Sequence, residues 1–312
     1  MTLYDTKEAV LELGKTHPEL TTLLEKGNVP NPPLSAVTAA FKQNPPPAPP
    51  SAENEYTKKI PMRDGHLSEL RVHLPPQPSP MTRAMFVFIH GGGFCLGNSF
   101  FHSYQTRAIA SLHNVVVVSL SYRLAPEHKF LAGPNDVWDS MEWLSQEANA
   151  KELGCDLFLG FYIGGVSAGG NLSAVTAQRW VSEGRTPKLS GVWACIPYVL
   201  EKEIVPPQYK DLYLARVQNA DAMVINKEAM DFVLDAYRPD IFSPAFPPFR
   251  AENPHTGMPP VYIHVAGQDP LRDDGLIYEK ALRAHGVLTR LDVYPGLPHA
   301  FDGMFWKFPG RA

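Results

Sequence analysis

Residues 158–174 read FLGFYIGGVSAGGNLSA and carry the strongest indication of the fold. The apolar run 158–163 predicts a buried strand, and the small residues from Ala168 onward predict a helix. Between them, residues 165–169 (GVSAG) match the pattern G-x-S-x-G. The pattern alone is common, but with a strand before it and a helix after it, it places a serine hydroxyl above a sheet. The stretch therefore predicts Ser167 as a nucleophile. Gly165 and Gly169 are expected where the strand and the helix pass so closely that side chains would clash.

Strand-like and helix-like segments alternate on both sides of this stretch. Several strands are almost continuously apolar, which is typical of strands buried on both faces of a mostly parallel sheet. The predicted strands are 67–74, 84–89, 115–120, 158–163, 192–196, 261–266 and 289–294. The predicted helices between them are 104–112, 136–147, 169–181 and 276–285. The alternation indicates a three-layer α/β fold.

A second glycine-rich segment, HGGGF at 90–94, follows the predicted strand 84–89. Three consecutive glycines let the backbone turn sharply and aim N–H groups at one point, which acyl transfer needs to hold an oxyanion. The Ala168 N–H lies at a predicted helix N-terminus, where the partial positive charge favours the same oxyanion. A flexible loop or a phosphate cradle is the alternative, although no phosphate-binding glycine motif matches. We expect His90 to be a structural hydrogen-bonding residue rather than a base.

Position along the chain selects the acid and the base, because enzymes with this serine motif carry the acid next and the histidine last. Asp269 follows the predicted strand 261–266 at the carboxyl edge, where open α/β sheets build their sites. Asp269-Pro270 also has the pattern of a helix N-cap followed by proline, and both roles are compatible. His299 follows the last predicted strand and is the expected base. Weaker candidates are two expected helix-start acids and two histidines inside elements: Asp273, Asp274, His264 and His285.

Two irregular regions divide the chain. Residues 1–43 have a loose amphipathic helical pattern, and the five prolines in the six positions from Pro45 predict an extended spacer. From 200 to 260 the alternation stops, and helical patches such as 227–237 are mixed with prolines and aromatics. We interpret 200–260 as a cap over the sheet, completed by the N-terminal helices; an ordinary surface excursion is the alternative. The predicted division is 1–50 for N-terminal cap helices and linker, 51–199 for the first part of the catalytic core, 200–260 for the cap insertion and 261–312 for the last part of the core.

Five segments carry a resemblance to the hormone-sensitive-lipase-like family of α/β-hydrolases. They are HGGGF at 90–94, SYRLAPEHKF at 121–130, GVSAGGN at 165–171, DPLRDDG at 269–275 and PHAF at 298–301. The resemblance implies an eight-stranded, mostly parallel sheet flanked by helices, with a helical cap. It also implies hydrolysis of short- to medium-chain or small-molecule carboxylic esters through an acyl-enzyme, without cofactor or metal.

By the same resemblance, Ser167, Asp269 and His299 correspond to the catalytic triad, and Gly92, Gly93 and the Ala168 N–H to the oxyanion hole. The chain departs from the family pattern at three positions. Val166 stands where an acidic residue is usual before the serine, Asp274 replaces a glutamate, and Leu131 replaces a proline. Because a hydrogen-bonding side chain is lost beside Ser167, we expect the reaction rate or the orientation of the substrate to differ from the family's.

Composition limits the classes of binding partner and the cellular compartments that are expected. The formal net charge is -4 with a sequence pI of about 6.3, so no basic surface for nucleic acid is indicated. The three cysteines are widely spaced, which favours buried reduced thiols over a disulfide scaffold. The first 14 residues lack the apolar segment of a signal peptide, and no apolar run is long enough to span a membrane. We expect a cytoplasmic protein with a small-molecule ester as its partner, no nucleic acid, no membrane span and a possible homodimer.

Two other function classes stay open at this stage. One is a non-hydrolytic enzyme on the same fold that performs acyl transfer, elimination or cyclisation in specialised metabolism. The other is a ligand-binding receptor on the same fold, which filled triad positions disfavour. Aromatics of the predicted cap indicate either an apolar ligand or core packing: Tyr209, Tyr213, Phe242 and Phe246.

Overall fold

The computed structural model of the chain describes residues 4–26, 31–47, 49–50, 52–77 and 82–304. Parts of the predicted N-terminal helical segment (1–3 and 27–30), Ala48 of the proline-rich spacer and residues 305–312 of the predicted core lie outside the described residues.

The centre of the molecule is one eight-stranded sheet, as predicted. Its strands in chain order are β1 (Glu55–Pro61), β2 (Leu67–His73), β3 (Met85–Ile89), β4 (Val116–Leu120), β5 (Phe161–Val166), β6 (Gly191–Cys195), β7 (Val261–Ala266) and β8 (Thr289–Tyr294). Their spatial order is β1-β2-β4-β3-β5-β6-β7-β8. Only the β1/β2 and β2/β4 pairs are antiparallel, so six neighbouring strands run in parallel and their carboxyl ends share one edge.

Helices cover the sheet and continue into the irregular regions. They are α1 (Lys7–Glu12), α2 (Pro18–Glu25), α3 (Leu34–Gln43), α4 (Ser103–His113), α5 (Ala132–Ser145), α6 (Glu147–Glu152), α7 (Ala168–Ser182), α8 (Ala215–Gln218), α9 (Lys227–Tyr237), α10 (Arg272–Ala284) and α11 (Phe301–Met304). Helix α7 follows β5 and packs against β5 and β6, with most of its residues buried. The three-layer α/β arrangement is therefore confirmed.

Two strand predictions differ from the structure. Strand β1 was not predicted, because it is an edge strand in which four of the seven residues are exposed and only Ile60 is fully buried. Strand β5 begins at Phe161 rather than 158, because Phe158 is 93% exposed in a turn whose backbone N–H is held by Asp156. The strand instead continues to Val166, directly before the serine.

The N-cap prediction for Asp269 is wrong. Helix α10 begins at Arg272, with Leu271 at the capping position. Asp269 Oδ1 accepts the Leu271 N–H at 2.7 Å, so its side chain forms a local turn before the helix.

The region 200–260 is held to the core by the first turn of α10. Asp273 Oδ2 accepts the backbone N–H groups of Leu214 and Ala215, both at 2.6 Å. Asp274 Oδ1 accepts those of Val199 and Leu200 at 3.0 and 2.9 Å. Both carboxylates are fully buried. The predicted helix-start acids therefore hold the backbone at residues 199–200 and 214–215 against helix α10.

The three cysteines, Cys95, Cys155 and Cys195, are buried and unbridged, as expected. Among the helices of the described ranges, none combines the length and the apolar character that crossing a bilayer requires.

Candidate active site

The serine lies on a strained turn between β5 and α7. Ser167 has φ 57° and ψ −116°, a backbone conformation that a side-chain-bearing residue adopts only where its surroundings enforce it. A Cβ at Gly165 would lie 2.4 Å from the Ile89 carbonyl oxygen, and one at Gly169 would lie 2.1 Å from the same oxygen. The glycines are therefore required by the close approach of α7 to β3, as the motif predicted.

Three side chains from separate loops meet at this turn. His299 Nε2 lies 2.9 Å from Ser167 Oγ, and His299 Nδ1 lies 2.7 Å from Asp269 Oδ2. Asp269 is fully buried and His299 is 4% exposed, whereas Ser167 is partly accessible. The three residues selected from chain order thus stand in hydrogen-bonding sequence, with the serine facing the accessible side.

The loop that carries Asp269 is held by hydrogen bonds from a side chain of the region 200–260. Asn219 Nδ2 donates to the Gly267 carbonyl at 3.1 Å and to the Asp269 carbonyl at 2.9 Å. Asn219 is 5% exposed, so water does not replace these bonds. Its side chain fixes the backbone on both sides of Gln268 and thereby the position of the Asp269 carboxylate.

The peptide groups of the glycine loop are fixed one after another. His90 Nδ1–H donates to the Gly91 carbonyl at 2.7 Å, so the N–H of Gly92 in the same trans peptide points away from the imidazole. The Gly92 carbonyl accepts the N–H groups of Cys95 and Leu96, which turns the Gly93 N–H away from them. Gly92 has φ 114°, and a Cβ there would lie 2.1 Å from the Leu96 carbonyl oxygen, so only glycine fits.

This glycine loop lies directly against the serine. A Cβ at Gly91 would be 3.4 Å from Ser167 Cβ. On the serine's other side, Ala168 is the first residue of α7, and N–H groups of a first helical turn have no partner within the helix. The described backbone thus brings Gly92, Gly93 and Ala168 to the same loop–helix junction.

His90 has the structural role expected of it. It is fully buried and stacks on Tyr122 with ring centroids 4.3 Å apart. Burial lowers the pKa of His90 to about 3, so the ring stays neutral while Nδ1–H holds the Gly91 carbonyl.

Side chains of helices α9 and α3 cover the glycine loop. A Cβ at Gly93 would lie 2.8 Å from Val233 in α9 and 3.6 Å from Leu34 in α3, so both side chains stand over this residue. Of the cap aromatics, Phe246 is fully buried against Phe94 and Tyr237 and belongs to the core. Phe242 is 58% exposed.

The N-terminal segment is hydrogen-bonded to the loops that precede His299 and Asp269. The Gly296 N–H donates to the Leu13 carbonyl at 2.8 Å, and the His17 N–H donates to the Gly296 carbonyl at 3.0 Å. Gln268 Nε2 donates to Thr16 Oγ1 at 2.7 Å. Residues 13–17 therefore contact the loop before His299 and the loop before Asp269.

The remaining candidates lie elsewhere. Asp273 and Asp274 hold the inserted region, and His285 ends α10 with its imidazole at the Ala281 carbonyl. His264 is in β7 beside Cys195. Val166 ends β5 and packs in an apolar cluster.

Two further residues at the site were missed by sequence reasoning, Asn219 and His102. Asn219 lies in an irregular segment without a motif. His102, whose Nε2 accepts the Gly91 N–H at 3.3 Å, follows Gly91 by 11 positions, and no pattern distinguishes it from the other ten histidines.

Comparison with known proteins agrees with this geometry. Residues 86–303 match the family described as "alpha/beta hydrolase fold", and residues 30–129 match the carboxylesterase family. Carboxylesterase NlhH of Mycobacterium tuberculosis is 36% identical over 251 residues, which cover 78% of this chain and 74% of that protein.

Two solved structures extend the likeness to nearly the whole chain. The crystal structure of vibralactone cyclase superposes with a TM-score of 0.83 at 30% identity, covering 95% of this chain and 90% of the cyclase. An esterase from Pyrobaculum calidifontis gives a TM-score of 0.77 at 29% identity, covering 94% and 93%. This chain belongs to the hormone-sensitive-lipase-like family of α/β-hydrolases and is a serine-dependent carboxylic-ester hydrolase.

Proposed function

We propose that Ser167, His299 and Asp269 are the catalytic triad of this esterase and that Gly92, Gly93 and Ala168 form its oxyanion hole. The observation that carries the proposal is the pair of contacts at the imidazole, 2.9 Å to the serine hydroxyl and 2.7 Å to the carboxylate. The contact with the hydroxyl is within the range in which a positioned base takes and returns a proton, and the contact with the carboxylate orients the imidazole.

The proposed reaction is a two-step acyl transfer. Ser167 Oγ attacks the ester carbonyl carbon while its proton passes to His299 Nε2, and the backbone N–H groups hold the oxygen that becomes negative. Asp269 accepts from Nδ1–H and stabilises the charged imidazole. The alcohol leaves with the proton from Nε2; water, activated in the same way, then releases the carboxylic acid.

We further propose that the substrates are short- to medium-chain or small-molecule esters. Leu34 and Val233 stand over Gly93, so apolar side chains of the cap border the space beside the oxyanion donors. Such a border favours an apolar substrate of limited size.

A panel of p-nitrophenyl esters from acetate to long-chain acyl groups tests the proposal. We expect activity to peak at short or medium chains and Ser167→Ala to abolish it without unfolding. Ser182→Ala, at the far end of the same helix, is the matched control and keeps its activity. An organophosphonate should label Ser167 alone. Equal activity of wild type and Ser167→Ala would refute the assignment.

Acyl transfer to an acceptor other than water is the second candidate, because the chain resembles a cyclase over nearly its whole length. The same acyl-enzyme serves both outcomes, and only the group that receives the acyl chain differs. Product analysis by mass spectrometry with an ester that carries an internal hydroxyl separates a lactone from a free acid.

The cytoplasmic location is also a proposal, supported by three buried, unbridged cysteines, which are usual in a reducing compartment. The division into core and cap segments and the homodimer stay predictions.

A further inference from the structure

The peptide group between His90 and Gly91 is held at both ends by side chains from outside the glycine loop. Its carbonyl accepts the Tyr122 hydroxyl at 3.1 Å, and its N–H donates to His102 Nε2 at 3.3 Å. This peptide directly precedes the one that carries the Gly92 N–H. A rotation here would therefore change the direction of the proposed oxyanion donor.

His102 is close to the nucleophile without being its base. A Cβ on Gly91 would be 3.6 Å from His102 Nε2 and 3.4 Å from Ser167 Cβ, so the imidazole and the serine flank the same glycine. The serine hydroxyl is bonded to His299 instead. His102 thus acts on the backbone beside the serine.

The contacts of His102 define its protonation. Because Nε2 accepts from Gly91, the ring proton is on Nδ1, which donates to Gln105 Oε1 at 3.3 Å. Burial lowers the pKa of His102, which keeps the ring neutral, and Phe88 and Phe101 pack around it. A protonated imidazole would lose the acceptor that Gly91 requires.

The chain of bonds continues to the histidine loop. Gln105 Nε2 donates to Asp302 Oδ2 at 3.4 Å, and Asp302 lies three residues after His299. The donors run in one direction, from the Gly91 N–H through His102 and Gln105 to the Asp302 carboxylate. Four residues thus connect the glycine loop with the loop that carries the base.

We propose that His102 is a positioning residue that, with Gln105 and Asp302, holds the oxyanion loop in register with the loop of His299. This inference rests on the proposed function of Ser167 and the glycine loop. It assigns His102 no contact with substrate. Its effect is on how well the two backbone donors of the glycine loop, Gly92 and Gly93, meet the developing oxyanion.

The test compares His102→Phe, which keeps a planar ring but no acceptor, with His102→Gln, whose Oε1 reaches the position of Nε2. We expect His102→Phe to lower kcat for p-nitrophenyl butyrate at least 10-fold with KM within about 2-fold, and His102→Gln to restore most of kcat. Affinity for a trifluoromethyl ketone, which forms a tetrahedral adduct with the serine, should fall in parallel with kcat/KM. Gln105→Leu, one link further, should lower kcat by a smaller factor.

His113→Phe is the matched control, because His113 is exposed at the other end of helix α4. It should keep wild-type kcat. The inference is overturned if His102→Phe keeps wild-type kcat. It is also overturned if the Phe and Gln variants lose activity equally, or if the ketone binds both as tightly as wild type. Failure of the proposed function is seen separately, as an active Ser167→Ala variant or phosphonate label on another residue.

Discussion

Asn219 and Asp269 are 50 residues apart in the chain, yet the Asn219 side chain donates a 2.9 Å hydrogen bond to the Asp269 backbone carbonyl. A second bond from the same amide reaches the Gly267 carbonyl. Asn219, in the region 200–260, therefore helps to position the loop that carries Asp269, the proposed catalytic acid.

Replacing Asn219 by Ala should lower kcat about 10-fold, because the Asp269 loop loses both anchors and a small displacement of the carboxylate misplaces the imidazole. We expect a stability loss of about 1–3 kcal/mol from the unsatisfied buried carbonyls. Steady-state kinetics and urea denaturation measure the two effects. Asn226→Ala removes the cap of α9 in the same region and should cost about 1 kcal/mol without changing kcat. A wild-type kcat in Asn219→Ala would contradict this role.

Gly92→Ala should lower kcat by about 100-fold or more, because the new Cβ collides with the Leu96 carbonyl and turns the proposed oxyanion donor. The control is Gly65→Ala, at another positive φ (84°) with open space around it. That variant should lose about 1 kcal/mol of stability and no activity. Circular dichroism and ester hydrolysis distinguish the two, and similar kinetics in both variants would argue against the donor role of this loop.

Asp273→Asn should lower the free energy of unfolding by about 3 kcal/mol, because Arg272 is buried and loses its charged partner. The attachment of the segment around Leu214 weakens with it, so we also expect KM to rise. Denaturant titration and ester kinetics are the measurements. Asp231→Asn breaks an exposed pair with Lys227 and should cost less than about 1 kcal/mol. Equal losses in the two variants would show that Asp273 does not anchor the region.

The free energy of unfolding should decrease at acidic pH because the Glu55 carboxylate becomes protonated. Burial raises the pKa of this carboxyl, but hydrogen bonds from Arg107 and Arg71 outweigh it and lower the pKa to about 2. The depressed pKa gives stability that is fully present above about pH 4.5 and is lost as the pH falls toward 2, on the order of 3 kcal/mol in all.

Denaturation of wild type and Glu55→Gln at pH 7, 4 and 3 checks this. The difference between the two proteins should be largest at pH 7 and shrink below pH 4.5. Glu147→Gln, at an exposed helical pair, should change little at any pH. A difference that stays constant down to pH 3 would disprove the expectation.

The sequence was sufficient for the parts of the site that depend on local chemistry. The serine turn and the glycine loop need glycines at fixed offsets, and the carboxyl edge of a parallel sheet collects the acid and the base whatever their distance along the chain. Ser167, Asp269 and His299 were therefore selected from order and setting, and the structure places their side chains in hydrogen-bonding contact.

The missed features depend on contacts between distant segments. Asn219 and His102 act through backbone groups of other loops. Sequence periodicity does not predict which side chain forms a hydrogen bond with the backbone of a distant loop. The edge strand β1 was missed for a related reason, since exposure on one edge removes the apolar pattern that marks a buried strand.

The contacts of residues 13–17 with Gly296 and Gln268 limit how far the N-terminus can be truncated for expression. The match to the α/β-hydrolase-fold family covers residues 86–303, yet the backbone groups bonded to Gly296, ahead of His299, are those of Leu13 and His17. A recombinant fragment trimmed to residues 86–303 would carry all three proposed triad side chains but lack the hydrogen bonds from Leu13 and His17. Expression designs for crystallisation or directed evolution should therefore treat the leading helices as part of the catalytic unit.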